Sequence, residues 1–172
     1  LDLDKFDVYY SHIVLWDEKD LEIVGAYRVG EGAKIMETHG VEGFYTQTLF
    51  DLKSEFESYL PNSIELGRSF VQPRYWGQHS LDYLWYGIGA FLREKPEIKY
   101  MFGPVSISNS YPDQAKELII SFYKQQFGTD LSLTRARTPY IISDESRDFA
   151  AVEFNSDYST SFKILNSELR KL

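Results

Sequence analysis

Leu81, Leu84, Trp85, Ile88, Phe91 and Leu92 recur at spacings of three and four. That spacing gathers apolar side chains on one face and predicts an amphipathic helix seated on a core. Gly87 and Gly89 inside it each cost roughly 1 kcal/mol relative to alanine, which implies close packing against another element. Pro96 ends the helix. Residues 64–71 before it read as an apolar strand interrupted by Glu65, Gly67 and Arg68, and "KYMFGPVSIS" (99–108) reads as the next strand. Pro112 then suits a first helical turn, with Ala115, Leu118, Ile119 and Phe122 as the stripe and Gly128 as the stop. Strand, helix, strand, helix in that order predicts a partly parallel sheet covered by helices.

Upstream, "SHIVLW" (11–16) and "LEIVGAYRV" (21–29) are rich in β-branched and aromatic residues around "DEKD", which predicts an antiparallel hairpin. Residues 30–45 carry four glycines without a clear period and read as a loop; residues 47–59 read as a short helix stopped by Pro61. Downstream, "LSLTRARTPYIIS" and "DFAAVEF" read as strands and "SFKILNSELRKL" as a helix. With 43% hydrophobic residues in 172, the chain fills one core, so one mixed α/β domain is expected.

Composition removes several function classes. There is no cysteine, so thiolate metal sites and disulfides are excluded and a reducing, cytoplasmic setting is favoured; His12, His39 and His79 are scattered, and no metal site is expected. His12, in an apolar strand, reads as structural, and His39, in a loop, supports no role. The net charge of −8 and the lack of a Lys/Arg stripe argue against nucleic acid. No apolar run reaches the length of a membrane span.

"ELGRSFVQPRYWGQHS" (65–80) carries the chemistry. Strict alternation puts Glu65 and Arg68 on opposite faces, whereas a bulge at Gly67 shifts the parity and turns both to one side, opening a gap in the ladder. The stretch then leads through Gly77 directly into the helix. Free N–H groups and the helix dipole suit that junction to phosphate, with Ser80 as the expected N-cap. Neither the dinucleotide glycine pattern nor the P-loop lysine motif occurs. A purely structural strand-turn-helix remains the alternative.

"SFVQPRYWGQHSLDYLWYGIGAFL" resembles the acyl-donor motif of GNAT-fold acyltransferases. More narrowly, "GAYRV", "GFYTQTLFDL", "ELGRSFVQPRYWG" and "YMFGPVSIS" resemble, in order, the ornithine-lipid and glycine-lipid N-acyltransferases, often labelled hemolysin-like, which are similar to acyl-homoserine-lactone synthases. The resemblance spans roughly residues 6–128. It implies a GNAT-like twisted mixed sheet with a bulged central strand and helices on both faces. It also implies a strand and helices before the hairpin and a continuation past "SFKILNSELRKL", so parts at both ends are expected to be missing. The family's second turn glycine is replaced in "GQHS", which favours the single phosphate of an acyl carrier protein over coenzyme A.

In such a family an amine attacks an acyl thioester, so the resemblance makes Glu65 the candidate base, with a register-fixing Glu65–Arg68 pair as the alternative. An amino group titrates near about 8 and a glutamate near about 4.3, so Glu65 needs burial or a water to serve. Arg28 is expected to join that network or hold an acceptor carboxylate, against a solvated strand-end role. Backbone N–H groups near Val71 are candidates for the thioester oxygen, and Tyr123 for the departing thiol, with core packing as its alternative. Arg74, Trp76, Gly77, Gln78, His79 and Ser80 are placed for donor phosphate, and Phe44, Tyr45, Phe50 and Ser106 for the acyl substrate. Arg74, Arg93, Lys95 and Lys99, with Glu94 and Glu97 between them, form a modest docking patch for an acidic carrier.

These expectations lead to an N-acyltransferase that moves a fatty, or 3-hydroxy fatty, acyl group from acyl carrier protein (phosphopantetheine) or acyl-CoA to an amino acid, with no tightly bound cofactor. A peripheral contact at the inner membrane face is left open. A lactone synthase using S-adenosylmethionine, and a non-catalytic module binding acyl carrier protein or lipid, are the alternatives.

Overall fold

A computed structural model describes residues 3–129 and 133–172. The chain divides into two compact units, one of Leu1–Val105 with Leu133–Arg137 and one of Ser106–Ser132 with Thr138–Leu172.

The first unit is built on a four-stranded sheet of order β1-β2-β4-β5, with β1 at Ser11–Asp17, β2 at Glu22–Glu31, β4 at Ser63–Val71 and β5 at Tyr100–Phe102. β1, β2 and β4 pair antiparallel, and β5 joins β4 in parallel, so the sheet is mixed as the alternation predicts. β5 is shorter than the 99–108 expected. Past Phe102 a side chain at Gly103 would stand 2.0 Å from the Leu66 carbonyl oxygen, so glycine is what lets the chain pass β4 there.

Helices cover both faces. α3 (Ser80–Arg93) follows the predicted stripe and buries Leu84 and Ile88. Gly87 is the close approach foreseen, since a Cβ there would lie 2.7 Å from Ile13, whereas Gly89 faces open space. The opposite face carries α1 (Gly32–His39), where a loop was expected. Its glycines serve packing: a Cβ on Gly32 would meet the Leu60 carbonyl oxygen at 1.9 Å, and Gly30 lies under Tyr10 and Ile35. Gly40, at φ 63°, ends the helix. Phe6, Tyr10, Ile35, Phe44, Leu52 and Leu60 fill the core on this side. Burying each large apolar side chain contributes roughly 1.5–3 kcal/mol.

The predicted helix over 47–59 reduces to α2 (Ser54–Glu57), because residues 50–52 are taken by β3 (Phe50–Leu52), which pairs with β6 (Thr134–Ala136) in a separate two-stranded sheet. The strand expected in "LSLTRARTPYIIS" thus survives as three residues, and its residues 131 and 132 lie outside the described residues.

The second unit holds α4 (Asp113–Phe127), α5 (Asp144–Glu153) and α6 (Tyr158–Leu169) around Leu118, Phe122, Ala150, Phe154 and Leu165. α4 and α6 match the sequence reading. "DFAAVEF" is helix rather than strand: Ser143 caps the N-terminus by accepting from the Ser146 N–H, and Ala150 and Phe154, four apart, are buried together. Among the described residues no helix is long and apolar enough to cross a membrane.

Candidate active site

The bulge lies on β4. Arg28 pairs with Gly67 and Ala26 with Phe70, so two steps on β2 oppose three on β4 and one residue is extra. The strained residue is Arg68, with φ 43°, and not Gly67. Pairing is restored at Phe70 and Val71, so the break falls at Arg68–Ser69, just past the Gly67 expected, and the backbone it interrupts lies there and not near Val71, where N–H groups for the thioester oxygen were expected.

The extra residue brings Arg68 to the face that carries Arg28 and Glu65. Its Nη2 lies 3.0 Å from Asp4 Oδ2, and Arg28 Nη1 donates to Asp4 Oδ1 at 2.8 Å and to Asp7 Oδ1 at 3.0 Å. Asp4 and Asp7 bracket a 3-10 turn at Lys5–Val8 in a capping box: Asp4 accepts from the Phe6 N–H, and Asp7 accepts from the Asp4 N–H at 2.7 Å. Arg28 is 1% exposed, which removes the solvated strand-end alternative, and the rings of Tyr10, Tyr45 and Phe6 surround its guanidinium at 5.1–5.7 Å. Burial works against its charge, but the bonds from Asp4 and Asp7 outweigh it and raise its pKa. Asp7 is held down at about 2 by the Asp4 N–H and by Arg28.

Glu65, also 1% exposed, sits in a nest of donors. The Tyr45 N–H at 3.0 Å and the Tyr10 hydroxyl reach Oε2; the Thr46 N–H at 2.5 Å and the Thr46 hydroxyl reach Oε1. Burial and the Glu65 charge push the Tyr10 phenol up, so it stays a donor. Asp4, Asp7, Tyr10 and Thr46 were absent from the sequence reading. The acid spacing in "DKFD", an N-terminal capping pattern, was the available signal for the first two.

The turn after β4 opens onto a cavity of about 450 Å³ lined by Val71, Trp76, Gly77, His79, Ser80 and the first turn of α3. Gly77, at φ 77°, would place a Cβ in open space. Ser80 is not the N-cap: its hydroxyl donates to the Tyr75 carbonyl, and His79 occupies the cap position at φ 58° without a side-chain cap bond. The helix therefore presents uncapped N–H groups there, beside the Asp82 carboxylate. Trp76 Nε1 donates to the Val71 carbonyl at 2.8 Å, and Gln78 Nε2 to the Arg74 carbonyl. Arg74 is less available than expected, being bound to Glu22 and Asp20.

The other candidates disperse. Phe44 is wholly buried against Phe102, and Phe50 belongs to β3. Tyr123 and Ser106 belong to the second unit, where Tyr123 is exposed and stacked on Phe127. In the basic patch, Lys95 is paired with Glu31 at 2.5 Å, Arg93 lies 3.5 Å from Glu94, and Lys99 donates to the Pro96 carbonyl. That leaves little net positive charge for docking.

A mixed sheet whose bulged strand runs through a buried ionic cluster into a glycine turn and an uncapped helix defines an acyltransferase-like α/β domain. The chain belongs to the Acetyltransferase (GNAT) domain family, which matches residues 1–86. It is 33% identical, over its whole length, to a glycine N(alpha)-acyltransferase of Phocaeicola vulgatus, and 32% to that of Bacteroides thetaiotaomicron. It is 31% identical, over 70% of its length, to an L-ornithine N(alpha)-acyltransferase of Brucella abortus. The chain spans 56%, 55% and 43% of these relatives, about half their length. No solved structure matches it.

Proposed function

We propose that the protein transfers a fatty acyl group from a carrier-bound thioester to the α-amino group of an amino acid. The observation that carries this reading is the bulge at Arg68, which sets Glu65, Arg28 and Arg68 on one face while the same strand ends at the cavity before α3. The names of the glycine and ornithine acyltransferase relatives support the same assignment.

The donor's phosphate rests on the uncapped N–H groups of α3 and beside Gly77, while Trp76 and the end of β4 shape the path of the pantetheine arm. Acyl carrier protein is the preferred donor, since the single turn glycine supplies few contacts for a pyrophosphate. Glu65 takes the acceptor's proton as the C–N bond forms, and the C–S bond then breaks to release the carrier's thiol, which takes up that proton from Glu65 or one from solvent. Its four donors include two backbone N–H groups that cannot turn away and two hydroxyls, of Tyr10 and Thr46, that can. Arg28 and Arg68 supply positive charge beside the developing oxyanion.

The test incubates the protein with 3-hydroxyacyl carrier protein and separate amino acids while following free thiol. Thiol release with glycine or ornithine and an N-acyl product is expected. Lactone from S-adenosylmethionine, or carrier binding without thiol release, would overturn the reading.

A further inference from the structure

His39 was assigned no role from sequence, yet it lines a cavity of about 400 Å³ with Lys5, Val8, Tyr9, Glu42 and Gly43. We propose that this cavity seats the acceptor amino acid as a zwitterion, with Lys5 binding its carboxylate and His39 and Glu42 accepting from its ammonium. The proposal rests on the N-acyltransferase reading and adds the place where the acceptor binds.

The hydrogen bonds define the tautomer of His39. The Thr38 hydroxyl has one proton, and it donates that proton to the Lys34 carbonyl at 2.7 Å. At 2.6 Å from the same hydroxyl oxygen, His39 Nδ1 must therefore be the donor. A neutral imidazole protonated at Nδ1 keeps a lone pair on Nε2, which has no hydrogen-bond partner among the described residues. The ring is not free to spin: it stacks on Tyr9 at 4.1 Å and 16°. The cavity thus contains an oriented acceptor for an N–H donor.

The charges around it suit a molecule bearing both signs. Lys5 holds its ammonium over the Phe6 ring at 5.0 Å, while Glu42 is steadied by the Gln47 side-chain amide at 3.2 Å. The wall is tight at Gly43, where any Cβ would stand 2.5 Å from His39 Cβ.

Position joins the cavity to the reacting carboxylate. The Gly43 carbonyl accepts from the Tyr9 hydroxyl at 2.8 Å, and the Tyr10 hydroxyl, whose proton goes to Glu65, lies 3.4 Å from the same carbonyl. One layer of two tyrosines, with rings 5.3 Å apart, separates the cavity from Glu65.

Steady-state kinetics of the wild type, Lys5→Ala, His39→Gln and Glu42→Gln test the proposal, with calorimetric titration of glycine and ornithine into each protein without acyl donor. Each variant is expected to raise the amino-acid KM by about tenfold, the loss of one charge-assisted bond, and to weaken direct binding in parallel while the donor KM stays put. With ethylamine, which has no carboxylate, the KM penalty of Lys5→Ala is expected to be smaller than with glycine. An unaltered amino-acid KM in all three variants of an enzyme that does acylate amino acids would overturn the cavity and leave the wider reading standing. If the wild type acylates no amine, the titration decides: binding lost in Lys5→Ala and His39→Gln supports the cavity, and binding absent or unchanged sinks it.

Discussion

Tyr10 and Glu65, 55 residues apart in sequence, are joined by a buried hydroxyl-to-carboxylate bond. Tyr10 also lays its ring 5.1 Å from the Arg28 guanidinium. One aromatic side chain therefore stands between the ion cluster of Arg28 and the donors around Glu65; Glu65 has four donors, while Arg28 bonds Asp4 and Asp7 through Nη1 and keeps Nε and Nη2 buried without a hydrogen-bond partner.

Glu65→Gln is expected to lower acyl transfer at least about a hundredfold, within the range ascribed to a positioned acid or base. The amide keeps the size of the side chain but puts an NH₂ where two donors now point. Donor binding, measured by carrier titration, should persist. A turnover near wild type would remove Glu65 from proton transfer.

Arg28→Met should destabilise the fold by roughly 3–5 kcal/mol, because it removes the arginine from Asp7, leaves Asp4 with Arg68 alone and sets the two carboxylates against each other. Urea unfolding followed by tryptophan fluorescence measures this. A loss below about 1 kcal/mol would show that the ion cluster contributes little.

Arg68→Gly separates strain from charge. Glycine relieves a left-handed backbone worth about 1 kcal/mol, loses a half-exposed ion pair of similar worth and adds unfolded-state entropy, so stability should change little. Activity should nevertheless fall at least about tenfold, since the charge beside Asp4 is gone. Equal losses in stability and activity would make Arg68 a folding residue only.

Acid titration should reveal Asp7. Its carboxyl is lowered from an ordinary 3.8 to about 2 by the Asp4 N–H and by Arg28. A depressed folded-state pKa gives stability that is present above 3.8 and lost as pH falls toward 2. Asp7→Asn should flatten the stability-against-pH curve in that window. An unchanged slope there would refute the assignment.

Gly103→Ala should cost roughly 1–3 kcal/mol, the usual penalty of overpacking, because the added methyl would collide with the Leu66 carbonyl oxygen at 2.0 Å. Wild-type stability in urea would mean that β5 shifts freely against β4.

The hairpin, β4 with its bulge, α3, α4 and α6 were legible because their apolar periodicity agrees with tertiary packing. α1 was not. Gly30, Gly32, Gly40 and Gly43 look like a loop in sequence, but Gly30, Gly32 and Gly43 admit a neighbour where a Cβ would clash, and Gly40 is the stop. Glycine marks close approach as readily as freedom, and only the partner atoms tell which. In the site, the Glu65 and Arg68 parity followed from the chain alone. The partners did not, because the nest around Glu65 comes from Tyr10, Tyr45 and Thr46, many residues distant. The helix in "DFAAVEF" is masked in sequence by β-prone Phe and Val, and its one helical signal is the four-residue spacing of Ala150 and Phe154.

Asp4 offers one oxygen to Arg28 on β2 and the other to Arg68 on β4. A single carboxylate thereby acts as a rivet between two strands, and neither arginine can be retuned alone. Lineages that alter this aspartate should be found to have altered both cations with it, or to have given up the chemistry.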